Sequence, residues 1–171
     1  MMEASTDQPP VRSLILEGDG TFPNNRRPLL LYPGAAPAEP SAIESLFERN
    51  GWPSAWRNGV YPYHHYHSTA HEALGVYSGS ATIQFGGPQG AAEKVSAGDV
   101  AVIPAGVAHK CLQASPDFRV VGAYPEGQRP DMCYGRTEER PDADRRIAAV
   151  AEPAKDPVQG EGGALRRLWV R

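Results

Sequence analysis

From Gly59 to about Pro125 the chain is built of short stretches rich in β-branched and aromatic residues, each cut off by glycine or proline. The stretches are 60–67, 73–77, 80–85, 99–103, 107–112 and 118–124. They are too short and too closely spaced to leave room for helices between them. Such a run folds as an antiparallel sandwich or barrel. Eighteen glycines and 17 prolines in 171 residues fit this reading, since both residues interrupt long helices and strands alike. The fold class expected is all-β: one barrel domain over 59–125, flanked by extensions over 11–58 and 126–171. Residues 1–10 are polar and end in Pro9-Pro10, the pattern of a disordered terminus.

The extensions carry weaker signals. Leu29–Tyr32 reads as a short buried strand stopped by Pro33-Gly34. Ser41 and Glu44 are spaced for a reciprocal capping box, and Ile43, Leu46 and Phe47 then share one face. Asn50-Gly51 supplies the stop, so a helix is predicted over about 42–50. Residues 126–146 are charged and read as a surface loop. Ile147–Val150 and Leu165–Val170 read as edge strands. Trp52, Trp56 and Trp169 are expected to anchor the extensions on the barrel.

Charge and composition narrow the functions. A net charge of −3 without clustered basic residues gives no footprint for nucleic acid or an anionic membrane. Leu29–Leu31 is far too short to cross a bilayer. The first ten residues lack the basic start and apolar run of a secretory signal, and two cysteines do not make a disulfide scaffold. A cytoplasmic protein with reduced thiols is expected.

All five histidines fall in two places: His64, His65, His67 and His71 within eight residues, and His109 alone. On an extended chain Tyr61, Tyr63, His65 and His67 point one way, while His64 and Tyr66 point the other. Two histidines at i, i+2 stand about 7 Å apart along the backbone, a spacing that suits two ligands of one metal. On the next strand Glu72, Leu74 and Val76 form the core-like parity set. Glu72 rather than His71 is therefore expected to face inward. His71 would then orient a ligand or substrate from behind. Tyr61 and Tyr63 either line a pocket or belong to an aromatic core. Tyr124 and Arg129 sit near a barrel mouth, Arg129 as a carboxylate clamp or a plain surface arginine. Strand parity also turns Cys111 inward, deeper than His109.

Two patterns carry a family resemblance. Gly59-x5-His65-x-His67-x4-Glu72-x6-Gly79 resembles the first cupin motif, and Gly98-x5-Pro104-x-Gly106-x2-His109 resembles the second. Gln113 stands where cupins usually carry asparagine, a position that is not a ligand. HHYHSTAHEALGV (64–76), QFGG (84–87), GDVAVIPAGVAHKCL (98–112), VVGAYPEGQ (120–128) and DPVQG (156–160) further resemble the bacterial YjlB-like cupins, as does Phe22-Pro23-Asn24-Asn25. The resemblance implies a jelly-roll barrel of six to eight strands holding one divalent transition metal. His65, His67, Glu72 and His109 would be its ligands. Three imidazoles and a carboxylate suit Fe, Mn, Ni, Co or Zn rather than calcium or magnesium.

Such a site leaves positions open for a small-molecule ligand or substrate. The function expected is a metal-dependent enzyme of dioxygenase, isomerase or lyase type acting on a small polar molecule, with Glu72 or Tyr63 moving a proton. The alternative is a non-catalytic small-molecule binding or sensing cupin, and a structural metal staple is the third reading. Similar cupins are commonly dimers. Strand 29–32 is available to pair with a neighbour, so a homodimer is expected.

Overall fold

The computed structural model describes residues 10–170, so the expectation of disorder over 1–10 falls almost wholly outside the described residues. Among the described residues nine strands form two antiparallel sheets. They are β1 (Arg12–Leu16), β2 (Asn25–Tyr32), β3 (Ser54–Asn58), β4 (Glu72–Ser78), β5 (Ser80–Phe85), β6 (Ala91–Ser96), β7 (Val100–Ile103), β8 (His109–Ala114) and β9 (Arg119–Ala123). One sheet has the order β1-β2-β7-β4-β9-β3 and the other β6-β5-β8. The two sheets make the jelly-roll barrel.

The alternation of side chains divides the core into two layers. Leu29, Leu31, Leu74, Val76, Ala101, Ile103 and Val120 point between the sheets and meet Ile83, Phe85 and Val95. Their neighbours Leu30, Tyr32, Ala73, Val100, Val102, Val121 and Ala123 point outward, yet they are equally buried. Helix α1 (Pro40–Arg49) covers them with Ile43, Leu46 and Phe47, and Trp52, Leu165 and Trp169 complete the layer. A sheet covered on both faces needs continuous apolar strands, which is why Leu29–Tyr32, Val100–Ile103 and Val120–Ala123 read as unbroken hydrophobic runs. Trp52 Nε1 donates to the Lys155 carbonyl and Trp169 Nε1 to the Pro28 carbonyl, so these two do anchor the extensions.

Several local expectations change. Helix α1 starts at Pro40, whose fixed φ suits the first helical turn, and the cap is therefore Glu39. Its carboxylate accepts from the Ser41 and Ala42 N–H groups, at 3.1 and 2.7 Å. Glu44 instead pairs with Arg57, so the Ser41–Glu44 box does not form. The stop is as expected, with Gly51 at φ 81°. Ile147–Val150 is not a strand: helix α2 (Asp142–Ala149) ends there, carrying Arg140–Asp144 and Arg145–Asp142 ion pairs at helical spacing. Helix α3 (Ala164–Leu168) likewise replaces the last predicted strand. Strand β2 is no edge. It lies between β1 and β7, and β1 and β3 bound the larger sheet. Among the described residues no helix is long and apolar enough to cross a membrane.

Candidate metal centre

The segment 60–67 is not a continuous strand. His65 exchanges both backbone hydrogen bonds with His109, whereas Tyr66 exchanges both with Cys133. One residue thus bridges to the start of β8 and the next to a strap from the C-terminal extension. Local extension is enough to keep the alternation, so His65 and His67 still project to the same side. Glu72 arrives as the first residue of β4 and His109 as the first residue of β8. The turn before His109 depends on Gly106 (φ 90°), where an added Cβ would stand 2.5 Å from the Asn24 carbonyl oxygen. The Gly106 N–H donates to the His67 carbonyl at 2.7 Å, joining the two motifs through the backbone.

His65, His67 and His109 are all buried, and each offers a ligand atom within 4.8 Å of the others. Glu72 Oε1 lies 3.2 Å from His109 Nε2 and 3.5 Å from His67 Nε2. Two donors bound side by side to one ion at roughly 2.1 Å stand about 3 Å apart, near the separations Glu72 makes with these two imidazoles, while the cluster whose ligand atoms all lie within 4.8 Å of one another is the three histidines. The tautomers agree. The Nδ1 atoms face main-chain carbonyls: Tyr63 for His65 at 3.0 Å, Asp131 for His67 at 2.6 Å and Val107 for His109 at 3.1 Å. A proton on each Nδ1 leaves the Nε2 lone pair turned to the centre, the arrangement found where imidazole binds metal. Three buried lone pairs beside a carboxylate repel one another unless a cation joins them. The donor set fits a divalent transition ion.

Titration follows the same geometry. Burial, with the His109 ring adding to it, pushes His65 down to about 3 and keeps it neutral. Burial would also lower His67, but Glu72 and then Asp131 outweigh it and raise this imidazole. Burial would raise the Glu72 carboxyl. The His67 and His109 imidazoles reverse that and hold it below the usual carboxylate range.

The centre opens on a cavity of about 400 Å³. Its walls include Trp56, Val60, Tyr61, Leu74, Tyr124 and Met132. Trp56 was expected to anchor an extension; it lines this cavity instead. It packs on the bare backbone of Gly122, where a Cβ would stand 2.1 Å from the indole. Trp56 Nε1 donates to Tyr124 Oη at 2.9 Å. Burial, with the negative charge of nearby Glu72 adding to it, raises the pKa of the Tyr124 hydroxyl.

The other candidates sort by position. Tyr61 stands at the cavity rim, and Tyr63 stacks on it with ring centroids 5.0 Å apart. Both rings are largely exposed. Tyr63 is outside the cavity wall, so the phenol in reach of Glu72 is Tyr124. Arg129 is exposed and does not line the cavity; the contact it makes is its carbonyl, which accepts from Thr69 Oγ1. Cys111 turns inward as expected, opposite Ile83 and against the inter-sheet core, but it is half-buried and lies outside the cavity wall. His64 faces away from the centre against Phe22, as expected. Tyr66 also turns away, yet it is fully buried by Phe22 and the strap, and its hydroxyl donates to Glu139. His71 is buried behind the turn that presents His109. Its Nδ1 accepts the Ala105 N–H at 2.8 Å and its ring packs on Trp169.

Sequence reasoning missed Asp131. Its carbonyl holds His67, and its carboxylate accepts from the Ser68 N–H and hydroxyl and pairs with Arg146 at 3.6 Å. The segment 126–136 thus straps the ligand loop, although its charged, proline-containing composition reads as a plain surface loop.

Residues 57–124 match the cupin family. The chain is also 46% identical over 154 residues to the "Uncharacterized protein YjlB" of Bacillus subtilis (strain 168), covering 90% of this chain and 93% of that protein. The chain is a cupin of the YjlB group. Among solved structures, a DUF861 family protein of Thermotoga maritima aligns at 21% identity and TM-score 0.35, over 46% of this chain and 86% of that one. Streptomyces albus HEPD, solved with 2-hydroxyethylphosphonate and Fe(II), aligns at 15% identity and TM-score 0.30, over 88% and 27%. An oxalate decarboxylase aligns at 17% identity and TM-score 0.34, over 78% and 32%. Likenesses this distant carry no argument about the reaction.

Proposed function

We propose that this cupin holds one divalent transition ion on His65, His67, Glu72 and His109 and is a metal-dependent enzyme acting on a small molecule. The observation that carries the reading is the set of three imidazoles, each with Nδ1 on a main-chain carbonyl, opening with Glu72 onto a cavity. Fe, Mn, Ni, Co and Zn all suit three nitrogens and one oxygen. Bound there, such an ion would supply a positive centre with open positions that binds and polarises oxygen atoms of the substrate. A structural staple would instead close its coordination and need no adjoining cavity.

The residues of the chain supply the rest. The Nδ1 hydrogen bonds hold the three rings in place before any substrate arrives. The walls beside the reacting face are largely apolar and carry no lysine or arginine. Tyr124 Oη, fixed by Trp56 Nε1, lies near Glu72, so the two groups could together hold or pass a proton at the cavity wall. Reactions of dioxygenase, isomerase or lyase type all fit these parts.

The test is metal analysis of protein purified without a polyhistidine tag, followed by assays of the Fe, Mn, Ni, Co and Zn forms. Oxygen uptake and product formation are followed with catechols, diketones and keto acids. One ion per chain and turnover by at least one form are expected. A chain that retains none of the five ions overturns the proposal. Tight ligand binding without turnover by any form would support the sensing alternative.

A further inference from the structure

The cavity next to the centre has an unusual balance of charge. Among the described residues that line it there is no lysine or arginine, and its single carboxylate is Glu72, which belongs to the centre. Arg129, the one arginine the sequence places near the mouth, is outside the wall. The remaining polar groups are already engaged or peripheral. Trp56 spends its N–H on Tyr124 Oη, so the indole offers only its ring, and Asn58 is exposed at the opening. Beside the ligands, with Tyr61 edge-on to His65 and Tyr124 edge-on to His67, these two rings and Trp56 set aromatic surfaces around a volume of about 400 Å³, which Val60, Leu74 and Met132 also line. That volume is near the lower end for small-molecule sites.

From this we infer that the ligand of the centre is a small aromatic molecule with a single oxygen-bearing head and no second anionic group. The inference rests on the proposed metal centre and adds the class of molecule it takes. An anionic head has one place to go, the metal position. A phosphate or second carboxylate in the cavity would find no cation, only the neutral groups of Asn58, Tyr61 and Tyr124, and burying a charge without a counter-charge is costly. A flat apolar body would instead cover the indole and the Tyr124 ring, where aromatic pairs gain beyond area alone. The wall is held for this purpose by backbone: Trp56 keeps its place because Gly122 has no side chain.

Three 2-hydroxy acids separate the possibilities, because they share one chelating head and differ only in the attached group: mandelate (phenyl), lactate (methyl) and malate (carboxymethyl). The full chain is loaded with Co(II), and each acid is titrated against its visible d–d absorption, with azide as a probe of open positions. Mandelate is expected to bind at least about tenfold more tightly than lactate, the order that burial of one ring provides. Malate is expected to bind no better than lactate. Trp56→Ala should bring mandelate to the affinity of lactate in the same variant, while Trp56→Phe keeps most of the preference and controls for folding. Asn58→Arg, which sets a cation at the opening, should improve malate alone.

Equal binding of the three acids, or a malate preference in the natural chain, overturns the inference while leaving the metal centre intact. Failure to take up Co(II), or an azide titration without spectral change, overturns the open centre and the inference with it.

Discussion

His64 and His67 lie three residues apart, and the structure gives them opposite tasks. His67 Nε2 faces the centre, 3.5 Å from Glu72 Oε1, whereas the His64 ring packs on Phe22 with centroids 5.5 Å apart. The perturbation is His67→Ala against His64→Ala, and the quantity is the rise in melting temperature when metal is added. A ligand that binds only the folded chain at 100 times its Kd stabilises it by about 2.7 kcal/mol. For a chain of this length each kcal/mol moves Tm by roughly 2–4 °C, so the natural protein should gain about 5–11 °C. Removing a supporting partner of a ligand commonly weakens metal binding 10- to 100-fold. If removing the ligand His67 costs about the upper figure, the same metal concentration then equals Kd. Stabilisation falls to about 0.4 kcal/mol, a degree or so. His67→Ala also leaves the Asp131 carbonyl without its imidazole, a cost of about 1–3 kcal/mol in the metal-free protein. The readout is a difference between metal-free and metal-loaded melts of one variant, so that cost cancels. Differential scanning fluorimetry with Zn, Co and Ni measures it. His64→Ala should keep the full shift. Equal loss in the two variants would refute the assignment of the two rings to opposite sides.

Three further outcomes follow from the same structure. His71 is neutral in the fold, pushed down to about 3 mainly by burial with Arg27 adding to it, against about 6.5 when unfolded. The unfolded chain therefore takes up this proton first, and the His71 contribution is complete above about pH 6.5 and is lost as pH falls toward 3, by about 1.4 kcal/mol per unit. Urea unfolding from pH 7 to 4 should show a shallower decline for His71→Gln than for the natural chain; parallel curves would contradict this. Cys111 lies outside the cavity and burial raises its thiol pKa, so alkylation mapped by mass spectrometry should be slower than for a free thiol and indifferent to metal. Protection by metal would put the thiol back in the cavity. A homodimer remains the expected assembly, now through the exposed edge strand β1, where Ile15 is 68% exposed. Light scattering at micromolar concentration should give twice the monomer mass, and Ile15→Lys should halve it; a monomer mass for the natural chain excludes the dimer.

What could be read from the chain and what could not divides along a physical line. The ligand positions were legible because alternation is a local property: it needs only a few extended residues, and His65-Tyr66-His67 and Glu72-Ala73-Leu74 supply them whatever the strands pair with. The same rule also turns Cys111 inward, opposite Ile83 and against the inter-sheet core, but alternation does not say how far the cavity extends, and the thiol lies outside its wall. Strands β3 and β6 were missed because SAWRN and AAEKVS face solvent for much of their length, and charged residues break the pattern that marks a strand. Helix α2 was read as a strand because Ile147–Val150 alone is too short to show a period, and the helical signal lies upstream in the acid–base pairs of 140–146.

Tyr66, Trp56 and Asp131 show the deeper limit. Each acquires its role from a segment distant in sequence: Tyr66 from Phe22 and Cys133, Trp56 from Gly122 and Tyr124, and Asp131 from His67 and Ser68. No window of sequence contains both halves of such a contact. The donor set of the centre is therefore written in two motifs, whereas the wall and strap that choose its ligand exist only in the folded chain. Gly122 is the point where the two meet. It reads as one small residue in a strand, and only the Trp56 ring lying 2.1 Å from where its Cβ would be shows that this backbone is half of the wall.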